Sequence, residues 1–170
     1  TANLAINAAL TGHLVLSTLH TNSSAGAIPR LIDMKVEPFL LVSTLSVIVA
    51  QRLVRKLCSS KERYNLTKAE IEVLGKTVDL NRVLSFLKEG KLVPQSAKFE
   101  DAPFYKPKPA VDCDDGFSGR IGIHEALKMT PTIRSIIIQS GTADQIEAQA
   151  KKEGMMTMLE DGIYQAVAGN

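Results

Sequence analysis

The sequence predicts an α/β fold that is predominantly helical. Residues 13–20 are predicted to form a strand, in which Leu14, Val15, Leu16 and Leu19 give a nearly continuous apolar stretch that is typical of a strand covered on both faces. Residues 38–57 begin with a proline and an apolar run, and this pattern predicts a long helix that is central to the core. The C-terminal part shows three helical patterns that glycines separate. These helices are predicted over Thr132–Gln139, Thr142–Glu153 and Thr157–Ala168.

The composition indicates a globular protein and argues against a dedicated nucleic-acid-binding domain. Hydrophobic residues make up 45% of the 170 residues and charged residues 22%, proportions that suit a packed core. The 20 basic and 18 acidic residues leave a net charge of +2, whereas nucleic-acid-binding domains are usually strongly basic. Two cysteines and no signal peptide fit a reducing cytoplasm. The longest apolar run, 39–50, is shorter than the about 20 residues that a membrane span needs.

Start and stop signals define the N-terminal elements. Thr1 to Ala9 is predicted to be the end of a helix, which Gly12 stops. After the strand, the polar residues 21–24 supply N-cap candidates for a helix that runs to about Met34. Pro29 is expected to bend this helix or delay its start, because proline lacks the N–H group that a helix interior needs.

The middle of the chain combines short helices with many prolines. Thr67 is predicted to cap one helix, with Glu70 completing a capping box, and Asp79 is predicted to cap a second. The rest of 58–119 is expected to be loop-rich and mobile, and residues 119–126 are predicted to form a short strand. The two helices are predicted through Leu74 and over Leu80–Lys88.

Two histidines stand at the ends of the predicted strand. A straight strand would separate His13 from His20 by roughly 23 Å, too far for both to bind one metal ion. Thr21 and Asn22 follow at a strand-to-helix turn, where open α/β sheets bind ligands and where the N–H groups of a helix start suit a phosphate. The residues alone leave a second interpretation open, in which His20 is satisfied by neighbouring backbone and His13 is structural.

The segment Gly75-Lys76-Thr77 imitates a phosphate-binding loop without having its full pattern. That loop requires a further glycine at the position that Glu70 occupies here. The segment also follows a helical pattern instead of a strand. We interpret the match as accidental.

Three segments, in the same order along the chain, resemble the ATPases of type II secretion and type IV pilus assembly. The first covers residues 1–57 almost without interruption. It carries Ala-Leu-Thr-Gly-His and Ser-Thr-Leu-His-Thr-Asn over residues 9–22, Arg-Leu-Ile-Asp-Met over residues 30–34, Glu-Pro-Phe over residues 37–39 and Gln-Arg-Leu over residues 51–53. The second, residues 116–125, carries Gly-Phe-Ser-Gly-Arg with a later glycine and glutamate. The third, residues 153–162, combines Glu-Gly-Met with Thr157 and an Asp-Gly pair.

The resemblance implies the C-terminal portion of a RecA-like P-loop NTPase domain. His20 would approach the nucleotide γ-phosphate, and His13 would belong to the same catalytic histidine box. ATP and Mg²⁺ would be bound mainly by an upstream half, so this chain alone is expected to be inactive. The structural alternatives are that Arg52 lies at a solvated helix end and that Arg120 pairs with Glu125. The implied nucleotide-binding residues are Thr21, Asn22, Arg52 and Arg120.

The resemblance also implies an insertion that in many relatives binds structural zinc through two Cys-x-x-Cys pairs. One thiol of each pair remains here, Cys58 and Cys113. A closed zinc site needs four ligands, so zinc is not expected, and a reducing compartment disfavours a disulfide. The hydrophobic residues of two short helices are expected to hold this degenerate subdomain together. Three nearby residues would have to supply oxygen ligands to complete such a site, namely Asp112, Asp114 and Asp115.

The predicted organisation has three parts: the ATPase core with its histidine box over 1–57, the degenerate insertion over 58–119, and a C-terminal strand and helical subdomain over 120–170. By resemblance, the complete protein is a homo-hexamer at the cytoplasmic face of the inner membrane. It would act on a platform protein and on the secretion or pilus machinery, without nucleic acid. The basic stretch 52–63 would lie near a subunit interface or the platform, or form a solvated face.

Two other functions are compatible with the residues alone. One is a non-enzymatic helical adaptor whose C-terminal helices, residues 142–168, bind a partner. The other is a helix-turn-helix nucleic-acid binder built from the same helices, although their acidic residues outnumber their basic ones. A complete protein that neither binds nor hydrolyses ATP would favour the adaptor. Salt-dependent DNA binding would favour the helix-turn-helix nucleic-acid binder.

Overall fold

The computed structural model describes residues 2–111 and 113–170. Within these ranges the protein is a mixed α/β structure of short helices and two-stranded sheets, which confirms the predicted α/β class. Phe99–Asp101 form a 3₁₀ turn. In chain order the elements are α1 (Ala2–Leu10), α2 (Ala27–Asp33), α3 (Pro38–Thr44), β1 (Val47–Leu57), β2 (Lys61–Tyr64), α4 (Lys68–Gly75), α5 (Leu80–Glu89), β3 (Phe104–Pro107), β4 (Phe117–Lys128), α6 (Pro131–Ile138), α7 (Ala143–Lys152) and α8 (Met158–Val167).

The described chain folds into two compact units, each assembled from two stretches of sequence. The first unit contains the residues up to Gln51 together with His124–Thr157. The second contains Arg52–Ile123 together with Met158–Asn170, so the C-terminal helix α8 joins the unit of β2, β3, α4 and α5. The division predicted from the sequence, at residues 57 and 119, stays a prediction.

The core of the first unit is aliphatic and brings together helices that are distant in sequence. Arg134 of α6 secures the ends of two other elements, because its guanidinium donates to the carbonyl oxygens of Leu45 and Met129, each at 3.1 Å. These contacts attach the end of β4 and the end of α3 to the same helix. The largest fully buried side chains of this core are Ile28, Val36, Leu41, Leu127, Ile133, Ile137 and Ile146.

The second unit packs α5 and α8 together beside the antiparallel pair β2–β3, in which Tyr64 lies opposite Phe104. The predicted core of α4 and α5 side chains is present, and α8 and β3 extend it. Between α5 and α8, Arg82 Nε lies 2.9 Å from Glu160 Oε1, and the side chains are 20% and 4% exposed. Other buried members are Val83, Leu87, Phe99, Ile163 and Val167.

Side-chain caps place the helices where the sequence predicts them. Thr67 and Glu70 form the predicted capping box of α4, Asp79 accepts from two N–H groups of α5, and Thr142 caps α7. These bonds satisfy N–H groups that have no partner inside the helix. Helix α2 begins only at Ala27, in agreement with the delayed start that its proline predicts. Among the described residues no helix has the length and apolar character to cross a membrane.

The strand predicted over residues 119–126 is confirmed as β4, and β4 pairs with β1. Just beyond one end, the Cys58 N–H donates to the Gly116 carbonyl at 3.0 Å. Just beyond the other, the Met129 N–H donates to the Ser46 carbonyl at 3.1 Å. The end of one strand therefore meets the beginning of the other, and the pair is antiparallel.

The strand predicted over residues 13–20 is wrong for the described chain. These residues have no regular secondary structure, and Leu14 and Leu16 are 89% and 88% exposed. A strand needs a neighbour with which to pair its N–H and C=O groups. Within residues 2–111 and 113–170, no strand runs beside this segment, so its apolar pattern does not become a strand here.

The long helix predicted over Pro38–Leu57 is also wrong. Helix α3 ends at Thr44, and the chain continues as strand β1. The hydroxyl groups of Ser43 and Thr44 donate to the Leu40 carbonyl at 3.0 and 2.7 Å, an arrangement that weakens a helix. Residues 47–49 are all β-branched, and such side chains favour a strand. The basic residues of this stretch therefore lie along a strand.

Weakening the buried ion pair of the second unit is expected to destabilise the protein more than weakening a half-exposed one. Glu160→Gln removes the charge that compensates Arg82 and should lower the free energy of unfolding by about 2 kcal/mol. This cost is below that of breaking a fully buried pair, because Arg82 is partly exposed. Glu147→Gln, which loses a half-exposed pair with Lys151, is the control and should cost less than about 1 kcal/mol. Thermal unfolding should show a midpoint lower by about 4–8 °C for Glu160→Gln, and equal shifts in the two variants would contradict this role.

Candidate functional site

The histidine segment, residues 13–24, lies in the first unit. At its beginning, His13 Nδ1 lies 3.1 Å from the Thr11 hydroxyl and 3.3 Å from the Ala8 carbonyl oxygen. Gly12, with φ of 92°, adopts a backbone conformation that favours glycine. These contacts attach His13 to the end of α1. They give it a local structural role, and its catalytic role stays a prediction.

His20 opens an exposed polar turn. Thr21 Oγ1 donates to the Ser23 carbonyl at 3.1 Å, and the Gly26 N–H donates to Ser23 Oγ at 3.1 Å. A Cβ atom on Gly26 would lie 2.9 Å from Ser23 Oγ, so a larger residue would require the Ser23 hydroxyl to shift. The helix starts only after Gly26, so Thr21 and Asn22 precede α2 and do not cap it. The turn presents three adjacent exposed side chains, those of His20, Thr21 and Asn22.

Ser24 closes the histidine segment as a fully buried residue. Its N–H donates to Glu125 Oε1 at 2.6 Å, and its hydroxyl donates to the same oxygen at 2.9 Å. The hydroxyl also lies 3.9 Å from Met155 Sδ. Glu125 and Met155 belong to the second and third segments of the sequence resemblance, so all three segments meet at Ser24. Sequence reasoning missed this contact, because a separation of 101 residues leaves no local signal.

The two arginines of the predicted site lie in the second unit. Arg52 is exposed on β1 and Arg120 is exposed on β4. The interpretation of Arg52 as a helix end is wrong, because β1 is a strand. Glu125 is the residue with which Arg120 would pair in its structural alternative. In the structure Glu125 accepts two hydrogen bonds from Ser24. A nucleotide-binding role for either arginine stays a prediction.

Several basic side chains of the second unit lie against aromatic rings. The Arg55 guanidinium lies 3.8 Å from the centre of the Phe117 ring and 3.5 Å from Asp115 Oδ2. The Lys106 ammonium lies 4.4 Å from the centre of the Tyr64 ring. Exposed cation–π contacts contribute about 0.5–1 kcal/mol each. These cations therefore have a local structural role.

The accidental match to a phosphate-binding loop lies at the end of a helix. Gly75 is the last residue of α4, and Lys76 is its C-cap. Lys76 Nζ lies 4.0 Å from Glu72 Oε1, one turn earlier. A phosphate-binding loop follows a strand and precedes a helix, so this placement confirms that the match is accidental.

Cys58 and Cys113 form a disulfide, so the expectation that no disulfide forms is wrong for this structure. Their Cα atoms are 6.7 Å apart, within the range that a disulfide spans, and both residues are buried. Backbone contacts bring them together. The Cys58 N–H donates to the Gly116 carbonyl, and Ala110 and Cys113 exchange two backbone hydrogen bonds, all at 3.0 Å.

The residues around this disulfide do not fit structural zinc. Zinc in a closed site is held by four ligands, and cysteine binds it as a thiolate, whereas both sulfurs here are bonded to each other. Across residues 2–111 and 113–170, no three His, Cys, Asp or Glu side chains are gathered for a metal ion. Asp112, considered above as an oxygen ligand, lies outside the described residues.

Reduction of the disulfide is expected to destabilise the second unit. The bond joins residues separated by 55 positions, a loop for which restraint of the unfolded chain contributes about 2–4 kcal/mol. Dithiothreitol should lower the unfolding midpoint of the wild type and leave that of the Cys58→Ser, Cys113→Ser double variant unchanged. A wild type with both thiols open to labelling before reduction would contradict the bond.

Glu153, in the third segment, connects the beginning of α6 to the end of α7. The Gln149 amide and the Thr130 hydroxyl each donate to its carboxylate at 2.7 Å. These hydrogen bonds, with that of Gln149 the larger cause, hold the pKa of the Glu153 carboxyl below its ordinary value. The ionised carboxylate is therefore the form that the fold stabilises.

The contribution of Glu153 to stability is expected to depend on pH. Since its pKa is depressed in the folded state, the stabilisation is complete above the unfolded-state pKa of the carboxyl group and is lost as the pH falls through the folded-state pKa. Thermal unfolding should show Glu153→Gln less stable than the wild type at neutral pH, with the difference disappearing in acid. A difference that grows as the pH falls would contradict this assignment.

Comparison with known proteins identifies the class of this protein. A family model described as "Type II/IV secretion system protein" matches residues 1–170. The chain is 44% identical over 170 residues to the type II secretion system protein E of Xanthomonas campestris pv. campestris. It is 40% identical over 169 residues to the type IV pilus assembly ATPase PilB of Pseudomonas aeruginosa and 38% identical over 170 residues to PilB of Thermus thermophilus.

The two PilB relatives are named as type IV pilus assembly ATPases, and the Xanthomonas relative is named for the type II secretion system. The alignments cover 99% of this chain, but only 27% of the Xanthomonas and Pseudomonas proteins and 17% of the Thermus protein. The chain belongs to the type II/IV secretion system protein family, and it spans about a quarter of the length of the first two relatives.

Proposed function

We propose that this chain is the C-terminal part of a hexameric, RecA-like ATPase motor that powers type IV pilus assembly or type II protein secretion. The observation that carries the proposal is the similarity of the whole chain to relatives named for these systems. The chain corresponds to 27% or less of the three relatives compared. ATP hydrolysis is therefore proposed for the complete protein, and the chain alone is expected to be inactive.

The histidine turn supplies polar groups that suit this role. The side chains of His20, Thr21 and Asn22 are exposed next to one another, and buried Ser24 fixes the end of the turn. A hydrogen-bond donor placed near the γ-phosphate stabilises the charge that develops there during phosphoryl transfer. His20 is the proposed donor, and His13 lies at the other end of the same segment.

Arg52 and Arg120 are proposed to bind the nucleotide phosphates. A guanidinium presents several N–H donors in a fixed plane and stays charged at all physiological pH values, so it suits phosphate oxygens. Both side chains are exposed on strands. When bound, ATP with Mg²⁺ supplies the transferable phosphoryl group and its counter-charge, and residues upstream of this chain are proposed to hold most of it.

Leu14 and Leu16 are exposed here, and we expect other parts of the complete protein to pack against the histidine segment. Covering a leucine side chain contributes about 1.5–3 kcal/mol, and both are almost fully exposed here. Other parts of the complete protein are therefore expected to cover these two side chains.

The proposal extends to assembly and location. The complete protein would form a homo-hexamer at the cytoplasmic face of the inner membrane. It would act on a platform protein and on the secretion or pilus machinery. The relatives' names support the link to that machinery. Hydrolysis in the ring would move the subunits against one another and so drive the machinery.

Removal of the His20 imidazole is expected to abolish most turnover and leave folding intact. His20→Ala in the complete protein should lower kcat for phosphate release, with ATP and Mg²⁺, by about 100-fold, the effect of losing one donor to developing charge. The fold should tolerate the change, because the side chain is exposed. The matched control is His124→Ala, a histidine exposed on β4, which should retain the wild-type rate.

Two results would remove the role given to the turn. One is wild-type turnover by the His20→Ala protein. The other is an equal loss in His20→Ala and His124→Ala, which would indicate a general effect on folding. A folded, monomeric wild type that neither binds nor hydrolyses ATP would instead favour the non-enzymatic adaptor.

A further inference from the structure

A buried carboxylate lies directly behind the histidine turn. Glu125 is 7% exposed, whereas its neighbours on β4, His124 and Ala126, are exposed. Strand alternation therefore directs the Glu125 side chain into the core of the first unit. A buried carboxylate is costly unless it accepts hydrogen bonds. Two of the bonds that it accepts come from Ser24.

The Ser24 contact marks the boundary between the exposed and the buried part of the chain. His20, Thr21 and Asn22 are exposed, whereas Ser24 and Ala25 are 0% and 1% exposed. The position of the turn therefore depends on how firmly the backbone is held at Ser24. Hydrogen bonds to a carboxylate are roughly twice as strong as those between neutral groups, and here one oxygen receives both the N–H and the hydroxyl.

The contact also lies where two other parts of the first unit meet. Met155, 3.9 Å from the Ser24 hydroxyl, is buried. Its near neighbour Glu153 accepts a hydrogen bond from Thr130, just beyond β4. The turn is therefore fixed at Ser24 by Glu125 of β4 and by Met155 of the loop after α7. These two residues lie 101 and 131 positions away from Ser24 along the chain.

We infer that Glu125 is a positioning residue: its carboxylate fixes Ser24 and thereby holds His20 and Thr21 where turnover requires them. Glu125 itself does not touch the nucleotide in this arrangement. The inference rests on the proposed function, because it gives Glu125 a part in ATP turnover. The role differs from the pairing with Arg120, the structural alternative that the sequence offers for Glu125.

The test compares variants of the complete protein by amide hydrogen exchange over residues 20–26 and by steady-state phosphate release. Glu125→Ala removes the acceptor, so exchange over these residues should rise about tenfold, as expected when a buried N–H loses its partner. The kcat should fall by about tenfold, because His20 and Thr21 are no longer held where the transition state needs them. The KM for ATP should change less than about twofold, because binding of the ground state does not depend on that position. Glu125→Gln keeps an acceptor oxygen and should recover most of both.

Glu160→Ala is the matched control, since Glu160 is equally buried but lies in the second unit. It should increase exchange there and leave residues 20–26 and kcat close to wild type. Ser24→Ala, which keeps the backbone N–H and loses only the hydroxyl, should fall between the wild type and Glu125→Ala. If Glu125→Ala does not fold, Ser24→Ala and Glu125→Gln carry the test, with smaller changes in the same direction.

Several results would overturn the inference. Unchanged exchange over residues 20–26 in Glu125→Ala would show that Glu125 does not anchor the turn. A second result is that Glu125→Ala shows faster exchange over residues 20–26 but keeps the wild-type kcat, or a kcat no lower than that of Glu160→Ala. Either value of kcat would show that Glu125 anchors the turn but has no role in turnover. A wild type that releases no phosphate would overturn the proposed function as well, whereas wild-type turnover with unaffected variants would overturn only the role of Glu125.

Discussion

The buried hydrogen bonds between Ser24 and Glu125 constrain the whole histidine segment. A backbone N–H group without exposure to water needs a partner inside the protein, and β4 provides it at 2.6 Å. Helix α2 starts a few residues later, and the exposed turn of His20 lies just before. An exposed, polar turn can keep a defined position only if one of its ends is fixed, and Ser24 is that end.

The second unit is stabilised by different means. A disulfide joins Cys58 to Cys113, and the buried pair Arg82–Glu160 connects α5 to α8. The resemblance implies a degenerate zinc subdomain at this place, and the backbone brings its two cysteines together as a disulfide. The second unit therefore combines a hydrophobic core with one disulfide, which reaches the loop before β4, and one ion pair, which joins α5 to α8.

Local signals predicted much of the fold, and long-range pairing explains what they missed. The caps Thr67, Asp79 and Thr142 define their helices because each bonds within a few residues of itself. Residues 13–20 and 47–57 were misassigned because an apolar stretch becomes helix, strand or neither according to its neighbours in space. In the site, the exposed turn of His20 could be predicted from its polar sequence. The acceptor for Ser24 could not, because Glu125 lies 101 residues away.

Phosphate release from the complete protein, supplied with ATP and Mg²⁺, decides whether this chain is part of an ATP-driven motor. We expect steady release that stops when Mg²⁺ is chelated, since the metal neutralises the charge that develops on the phosphates. A folded complete protein that releases no phosphate and does not bind ATP would contradict the claim.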